Sequence, residues 1–468
     1  MMTSSPRFLR LAAAAVTGVL YLLGPVAAGA PGVEGAAGAP GVEGAAGAVG
    51  AVPSGWTTDH GNNLRTGTST GVAAFTTLRA RFDVALDGAV YGSPIVVGNA
   101  VVVATENNTV YALDATTGAV RWSHHLRSAI TDTSVLACPG NISPTGITSS
   151  PAYDPVTHRV FVVTVTNSPT TGVTHEIFGL RATDGATQVN RRVEVPGTDP
   201  RAQQQRAALA VDRGNVYVAF GGLAGDCGNY RGAVVSVTTS GALGASYVVP
   251  TAREAGIWAP GGPVVLADGS LLVAVGNGAS TSGAYDSSDS VTKLSGQMQR
   301  TDLFAPASWP SDNARDLDLG SMTPAVTANG YVLQVGKAGT AYSLSVAHLG
   351  GVGGQVSSVS LCPAYGVAAV TASSVYVPCT TGVSRVDVAA DGGIAQRWLQ
   401  PAVTGSPVAG PGALYAVGGG RFYALNRRTG AVLGTLPIPA TSRFATPALA
   451  GARAYVGTLT GLTTVAIG

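Results

Sequence analysis

Hydrophobic and polar residues alternate along most of the chain, most regularly from Ser93 to Trp122. Two β-branched runs flank Gly98-Asn99, a dipeptide typical of tight β-hairpin turns. A second hairpin, VYALDATTGAVRW, follows, in which the turn Asp114–Gly118 separates two strands with a hydrophobic residue at every second position. The stretch therefore predicts four antiparallel strands, which is the content of one blade of a β-propeller.

The same unit returns along the chain, and each time it opens on a small residue that is often followed by proline. These predicted inner-strand starts are Gly92-Ser-Pro, Ser149-Ser-Pro, Arg206-Ala-Ala, Gly261-Gly-Pro, Ser321-Met-Thr-Pro, Cys362-Pro, Gly405-Ser-Pro and Ala445-Thr-Pro. Eight starts predict eight blades, and the alternative is a seven-bladed ring in which one start does not open a blade.

The ends of the repeat region predict closure of the ring. Only three strand-like runs follow the last start, and they end at Ile467. A spare strand at Arg81–Leu86 precedes the first blade and would supply the missing outer strand, which leaves no exposed strand edge. The sequence thus predicts an all-β protein: an eight-bladed β-propeller of four-stranded antiparallel blades, closed by an N-terminal strand.

The composition agrees with this fold and excludes some classes of binding partner. The 468 residues include 64 glycines and 27 prolines, as expected of a turn-rich β-protein, and 46% of residues are hydrophobic. Only 11% are charged, and the net charge of +2 argues against a nucleic-acid or anionic-membrane partner. We therefore expect a monomer that binds a protein, glycan or small molecule.

The N-terminal region predicts export. Residues 1–30 resemble a secretory signal peptide, with Arg7 and Arg10 before an apolar run and Ala28-Gly29-Ala30 as a cleavage site. A retained membrane anchor is the alternative, whereas a lipoprotein anchor is disfavoured because no cysteine precedes Cys138. Residues 31–52 carry a repeated APGVEGAAG segment, which predicts a flexible tail, and the propeller is expected to span residues 53–468.

The four cysteines fit a secreted protein with two disulfides. Cys362 is expected to open an inner strand, and Cys379 ends the strand returning beside it. Cys138 and Cys227 are both expected in loops on the same face of the ring. Of the three possible pairings, we favour Cys362–Cys379 with Cys138–Cys227.

Polar residues are expected to converge at one end of the central channel. Inner strands start, and second strands end, at the same face of a propeller, which we call the top. The residues placed there by this rule are Arg206, Glu254, Trp258, Asn277, Asp316, Asp318 and Lys337. Because the chain has few charges, their clustering at one mouth predicts a binding or catalytic site.

The repeat resembles that of the pyrroloquinoline quinone (PQQ) repeat superfamily. Its pattern of Ala-x-Asp-x-x-Thr-Gly followed by Trp is matched by Ala112, Asp114, Thr117, Gly118 and Trp122. The superfamily includes quinoprotein alcohol dehydrogenases and outer-membrane assembly lipoproteins, so the resemblance implies the fold more strongly than the function.

The resemblance also implies a possible cofactor site. By analogy with the dehydrogenases, Asp316 matches the catalytic base beside a bound calcium ion, Asn277 a calcium ligand and Lys337 a contact of the quinone. Arg206 and Trp258 are further candidates for cofactor contacts. The family's pair of adjacent cysteines is absent, and Cys227 stands where a calcium-binding Glu is expected, with Asp226 as a substitute beside it.

Three functions follow from these observations. The first is an exported binding or interaction module that uses its top face and needs no cofactor. The second is a calcium- and PQQ-dependent alcohol or sugar dehydrogenase with Asp316 as base. The third, a hydrolase or lyase using Glu254 with Asp316 or Asp318, has no motif behind it. Asn277 also fits a simple strand-ending turn, and Asp316 a loop cap.

Overall fold

The computed structural model describes residues 55–468 and contains eight antiparallel β-sheets around a central channel. The predicted signal peptide and most of the predicted tail lie outside these residues. From the channel outward, the strands of blade 1 are β2 (Ile95–Val97), β3 (Ala100–Ala104), β4 (Thr109–Asp114) and β5 (Val120–His125), and those of blade 2 are β6 (Ala152–Asp154), β7 (Arg159–Ser168), β8 (Gly172–Arg181) and β9 (Thr187–Arg192). Blade 3 has β10 (Gln203–Gln204) with β11 (Ala210–Asp212), then β12 (Asn215–Gly222), β13 (Ala233–Thr238) and β14 (Leu243–Val248). Blade 4 has β15 (Val264–Val265), β16 (Leu271–Val275), β17 (Ser290–Leu294) and β18 (Arg300–Ala305).

Blades 5 to 8 follow the same order. Blade 5 has β19 (Ala325–Val326), β20 (Tyr331–Val335), β21 (Thr340–Ser345) and β23 (Ser357–Ser360), and blade 6 has β24 (Ala369–Thr371), β25 (Ser374–Cys379), β26 (Gly382–Val388) and β27 (Ile394–Gln400). Blade 7 has β28 (Val408–Ala409), β29 (Ala413–Gly418), β30 (Arg421–Asn426) and β31 (Val432–Pro437). Blade 8 has β32 (Ala448–Ala450), β33 (Arg453–Thr458), β34 (Gly461–Ile467) and β1 (Leu78–Ala85). The eight-bladed, all-β prediction is confirmed.

The ring closes as predicted, because the N-terminal strand completes the last blade. Strand β1 pairs with β34 in antiparallel register from Leu78↔Ile467 to Ala85↔Gly461. The strand begins three residues earlier than the predicted start at Arg81. The two ends of the folded region are therefore held in one sheet.

The repeat motif holds neighbouring blades together. Trp122 at the end of blade 1 lies over Gly185, in the turn between β8 and β9 of blade 2, and its Nε1 donates to the Ala182 carbonyl at 3.0 Å. Trp398 of blade 6 packs in the same way on Gly430 of blade 7. A side chain at the turn glycine would collide with the indole of the preceding blade. The repeat therefore needs a glycine in the turn because a tryptophan of the neighbouring blade packs on it.

Hydrophobic cores lie between adjacent blades. The β3 residues Val101 and Val103 of blade 1 pack in one cluster with Tyr455 and Val456 of β33 in blade 8. Inner and second strands are hydrophobic on both faces because each blade is covered on both sides.

Three details depart from the simple repeat. The inner position of blade 3 is shared by β10 and β11, and the short strand β22 (Gly351–Val352) adds in parallel to the outer edge of β18. The third concerns Cys362, which was wrongly expected to open an inner strand. The inner strand of blade 6 begins at Ala369, and Cys362 lies in the loop before it. The Pro-containing signal that marks other strand starts belongs here to this longer loop.

The segment Trp56–Ser69, which we call the plug, fills the channel at the end opposite the top. Its backbone and side chains hydrogen-bond to the inner strands of blades 1, 2, 3, 4, 6 and 7. The partners are Val96, Tyr153, Leu209, Val211, Val265, Val370 and Ala409. Nothing in the hydrophobic pattern predicts this contact, and it closes the channel at the bottom.

Helices are short in the described residues. They comprise the α-helix α1 (Trp309–Asn313) and 3₁₀ turns at Asp59–Gly61, Thr133–Val135, Pro200–Ala202 and Leu319–Ser321. Between residues 55 and 468 no helix has the length and apolar character needed to cross a membrane.

The cysteines form the two favoured pairs. Cys138 bonds Cys227 and Cys362 bonds Cys379, with Cα–Cα distances of 5.5 and 5.7 Å. Disulfides of this kind persist outside the reducing cytosol, which supports a non-cytosolic location.

Candidate functional site

A cavity of about 500 Å³ opens at the top of the channel. It is formed by loops that precede inner strands and by the ends of second strands, so residues distant in sequence meet there. The residues that line it and are used below are Tyr91, Asn141, Ile142, Arg206, Leu223, Asp226, Tyr230, Trp258, Asn277, Asp316, Asp318, Lys337, Tyr365, Arg443 and Phe444.

The structure brings together most of the residues that the sequence places at the top. Seven of the candidates line the cavity: Arg206, Asp226, Trp258, Asn277, Asp316, Asp318 and Lys337. Glu254 does not, because its carboxylate pairs with Arg253 beside the cavity. The topological rule therefore locates the site, whereas the roles assigned to these residues stay predictions.

Lys337 forms the charged centre of one wall. Its ammonium donates to Asp316 Oδ1 at 2.6 Å and also pairs with Asp318. Burial alone would lower the pKa of Lys337, but the charges of the two carboxylates outweigh it and raise that pKa above its ordinary value. Lys337 is thus permanently charged and largely neutralised by its neighbours.

Asp318 connects this ion pair to the rest of the wall. Its Oδ1 accepts hydrogen bonds from Trp258 Nε1 and from the Asn277 backbone N–H, both at 3.1 Å. The Asn277 side-chain amide, oriented to suit its neighbours, donates to both carboxylate oxygens at 2.9 and 3.0 Å. The carboxylate therefore fixes the indole, the amide and the ammonium at once.

Aromatic rings and guanidinium groups cover the other side of the cavity. The Arg206 guanidinium lies 4.4 Å from the Phe444 ring centre and 5.8 Å from that of Trp258, and Arg443 lies 4.1 Å from Tyr365. Trp258 also contacts both other rings, with centroids 6.3 and 6.5 Å apart. Cation–π contacts of this kind hold flexible arginines in place.

A disulfide braces a third wall. The loop that carries Asn141 and Ile142 is joined through Cys138–Cys227 to the loop that carries Leu223 and Asp226. Asp226 in turn accepts a hydrogen bond from the Tyr230 hydroxyl. The wall is thereby fixed although it consists of loops.

Several polar residues around the mouth have left-handed backbone. The φ angles are +53° at Asp226, +71° at Glu254 and +56° at Asp316. Such conformations cost about 1–3 kcal/mol each in a non-glycine residue and cluster at functional sites. Their presence around this mouth agrees with a binding role for the cavity.

A buried carboxyl group, Glu106, lies near Arg206 and the lining residue Tyr91. Its Oε2 accepts from the Gly146 N–H at 2.7 Å and from the Thr148 hydroxyl at 3.2 Å, while Oε1 has no partner among the described residues. Burial raises the pKa of Glu106 to about 7, although these two donors and the charge of Arg206 oppose the rise.

The Glu106 pKa predicts a pH-dependent stability. Between about pH 4.5 and 7 the folded protein keeps a proton that the unfolded chain releases, so the free energy of unfolding falls as pH rises through this window. Glu106→Gln removes the titration. When the pH is raised from 5 to 8, we expect the free energy of unfolding of the wild type to fall by about 3 kcal/mol more than that of the variant. Thermal unfolding at both pH values measures this shift, and parallel profiles would contradict it.

Each of the three predicted calcium ligands bonds to another side chain of the protein. Asp316 accepts from Lys337, Asp226 accepts from Tyr230, and the Asn277 amide donates to Asp318. The Lys337 ammonium thus occupies the place beside Asp316 where a divalent cation would need to bind, and it also pairs with Asp318. Across residues 55–468 no group of three His, Cys, Asp or Glu side chains is arranged to hold a metal ion.

The quinone site is also only partly matched. Arg206 and Lys337 lie over the Trp258 indole at 5.8 and 5.9 Å from a ring centre, so the ring is already engaged by cations of the protein itself. Together with the missing pair of adjacent cysteines, this does not fit a flat cofactor stacked between a tryptophan and a disulfide.

Sequence reasoning missed several lining residues. Tyr91, Tyr365, Arg443 and Phe444 were not singled out, yet they line the cavity. Tyr91 and Phe444 directly precede the strand starts Gly92-Ser-Pro and Ala445-Thr-Pro. The residue before each strand start was thus a signal that could have found them, since that position points into the top of the channel.

Comparisons with known proteins agree with the repeat. The sequence model of the family described as outer membrane protein assembly factor BamB matches residues 45–301, more than half of the chain. A sequence search of curated proteins gives no match.

Solved structures of similar fold include enzymes and an assembly factor. Quinohemoprotein alcohol dehydrogenase from Comamonas testosteroni is 14% identical with a TM-score of 0.70, over 88% of this chain and 80% of its own. A europium-containing methanol dehydrogenase is 14% identical with a TM-score of 0.67, over 88% and 98%. BamB from Moraxella catarrhalis is 14% identical with a TM-score of 0.55, over 83% and 97%. At such identities the likeness establishes the fold and not the activity.

Proposed function

Since the chain belongs to the PQQ-repeat β-propeller family, which includes both dehydrogenases and BamB-like interaction modules, we propose that it is an exported binding propeller that holds its ligand in the top-face cavity. It works as a monomer and needs no cofactor. The observation that carries the proposal is the cavity itself, in which aromatic rings, cations and carboxylates from blades 1, 3, 4, 5, 6 and 8 converge around about 500 Å³. Cavities of this size and mixed lining are typical of small-ligand sites.

The fixed geometry of the walls supports binding rather than a moving catalytic lid. Asp318 holds Trp258, Asn277 and Lys337, and a disulfide holds the loop opposite. Because these side chains are ordered before a ligand arrives, little conformational entropy is lost on binding.

Thermal shift against a panel of ligands tests the proposal. The panel contains saccharides, organic acids without a sugar, and PQQ with calcium. A ligand at one hundred times its Kd stabilises the folded state by about 2.7 kcal/mol and raises Tm accordingly. We expect at least one saturable shift that is lost in Tyr365→Leu, which alters the lining, and retained in Tyr153→Leu, which lies outside it.

The quinone arm of the panel separates the two main functions. A one-to-one uptake of PQQ with calcium, lost in Lys337→Ala, would replace the binding module by a dehydrogenase, and Asp316→Ala should then abolish dye reduction. If no member of the panel gives a shift that depends on Tyr365, the cavity is not the binding site and the proposal fails.

A further inference from the structure

The charges of the cavity are separated into two sides. Asp226 belongs to the loop after β12 of blade 3, and Asp316 and Asp318 belong to the loop before β19 of blade 5. Arg443 belongs to blade 8, and the Arg206 guanidinium reaches across the channel to Phe444 of that blade. The carboxylates thus lie in blades 3 and 5, together with Lys337, and the guanidinium groups lie against rings of blades 6 and 8, with the Trp258 indole between them at 5.8 Å from Arg206.

The two arginines differ from Lys337 in having no ion-pair partner among the described residues. Among residues 55–468, neither the Arg206 nor the Arg443 guanidinium hydrogen-bonds or pairs with a carboxylate, and both rest on aromatic rings instead. Glu106 lies near enough to Arg206 for their charges to interact, but it forms no ion pair or hydrogen bond with the guanidinium. Two cations beside one cavity thus have unused hydrogen-bonding capacity.

The way these arginines are held suits an acid group. A guanidinium whose flat face lies against a ring still directs its N–H donors outward from its edge, which is the geometry that binds carboxylate or sulfate through two parallel hydrogen bonds. Because the rings restrict the arginine side chains, little of their freedom is lost when the anion binds.

The opposite side suits hydroxyl groups. The Asp316 side chain is 64% exposed and uses one oxygen for Lys337, so its other oxygen can accept a hydrogen bond. Asp226 has a free second oxygen in the same way, since Tyr230 donates to Oδ1 only. Carboxylates cannot donate at neutral pH, so they select ligand groups that do.

We infer that the cavity binds an acidic saccharide, with its carboxylate or sulfate group on Arg206 and Arg443 and its hydroxyl groups on Asp226 and Asp316. This inference rests on the proposed binding function and adds the class of ligand. The aromatic edges of Tyr365 and Phe444 pack against the sugar ring between the two charged sides. A disaccharide is within the size range of the cavity.

Calorimetric titration with matched saccharides tests the ligand class. The probes are digalacturonate, the uncharged galactose disaccharide with the same linkage, and a sulfated galactose disaccharide. We expect the acidic probes to bind at least tenfold more tightly than the neutral one, and their affinity to fall as salt is raised. The better of the two acidic probes identifies the acid group.

Two arginine variants test the assigned contact. Arg443→Gln and Arg206→Gln are expected to weaken binding of the acidic probe at least tenfold without changing that of the neutral probe. Arg428→Gln removes the same charge from an exposed turn of blade 7 and should leave both affinities unchanged. Unaltered Tm values in the absence of ligand show that the variants are folded.

The outcomes separate this inference from the proposed function. If the neutral disaccharide binds as tightly as the acidic ones, or if another ligand class binds through Tyr365 and no saccharide does, the acidic-saccharide assignment is wrong while the binding function stands. If no ligand of either panel binds in the cavity, both are wrong. Equal loss in Arg428→Gln would show a diffuse charge effect and overturn the assigned contact.

Discussion

Replacing Arg65 by methionine is expected to destabilise the protein by about 3–5 kcal/mol, since it removes a buried cation that donates three hydrogen bonds and stabilises the nearby Asp59 carboxylate. Arg65 is 1% exposed and lies in the plug at the bottom of the channel. Its guanidinium donates to the Thr58 hydroxyl at 2.5 Å, to the Asp59 carbonyl at 3.1 Å and to the Leu209 carbonyl at 2.9 Å. The substitution removes this donor from all three buried acceptors, of which the Leu209 carbonyl keeps only the Thr58 hydroxyl at 3.3 Å.

The charge of Asp59 increases this cost. Asp59 is 2% exposed, and its pKa is lowered because His60 and Arg65 outweigh the effect of burial. Burial likewise lowers the pKa of Arg65 to about 10, although Asp59 opposes the change. His60 lies within ion-pair distance of the Asp59 carboxylate, at 3.3 Å, whereas Arg65 bonds the Asp59 backbone carbonyl and stabilises the carboxylate only through its nearby charge.

Thermal unfolding measures the effect against a surface control. For a domain of this size, a loss of 3–5 kcal/mol corresponds to a Tm lower by about 3–6 °C. Arg428→Met, which changes an exposed turn of blade 7, should move Tm by less than about 1 °C. If the two variants unfold at the same temperature, the plug contributes nothing to the closure of the ring.

The blade architecture could be predicted because its signals are local. The turn Asp114–Gly118, the tryptophan that follows it and the alternating strands on either side lie within a few residues of one another. Repetition then gave the number of blades, and counting the strands after Ala445 gave the closure by β1. Each step used short-range patterns that hydrophobic burial imposes on a strand.

The plug could not be predicted in this way. Its contacts are made mostly by backbone groups, such as the carbonyls of Trp56, Thr57 and Gly67 with the amides of Val96, Tyr153 and Ala409. Backbone groups are the same in every residue, so such long-range bonds leave no periodic pattern in the sequence. Buried polar residues such as Asp59 and Arg65 also run against the expectation that charged residues lie on the surface.

The candidate site was predictable in position but not in its pairing. Placing strand ends at the top brought Asn277, Asp316 and Lys337 together, as the structure does. No pattern in the sequence indicated that Asp318, rather than Asp316, makes most of the contacts. That difference depends on burial, because the Asp318 side chain is 4% exposed and the Asp316 side chain 64%.

Asp318→Ala is therefore expected to have a far larger effect than Asp316→Ala, although both carboxylates pair with Lys337. Removing the buried carboxylate leaves the Trp258 N–H and the backbone and side-chain N–H groups of Asn277 without their acceptor. The Lys337 ammonium also loses one of its two carboxylate partners. We expect a loss of about 3–5 kcal/mol in stability and loss of ligand binding, because Trp258 and Lys337 are no longer held.

The exposed partner provides the matched control. Removing Asp316 leaves Lys337 paired with Asp318, and an exposed ion pair contributes about 1 kcal/mol or less, so Tm should change little. Thermal unfolding of both variants measures the contrast in stability, and titration of Asp318→Ala with the ligand that stabilises the wild type measures the loss of binding. Equal destabilisation would mean that Lys337, and not Asp318, organises the wall. A stable Asp318→Ala protein with full affinity would mean that Trp258 and Asn277 are held by backbone packing alone, because neither then depends on the carboxylate for its position.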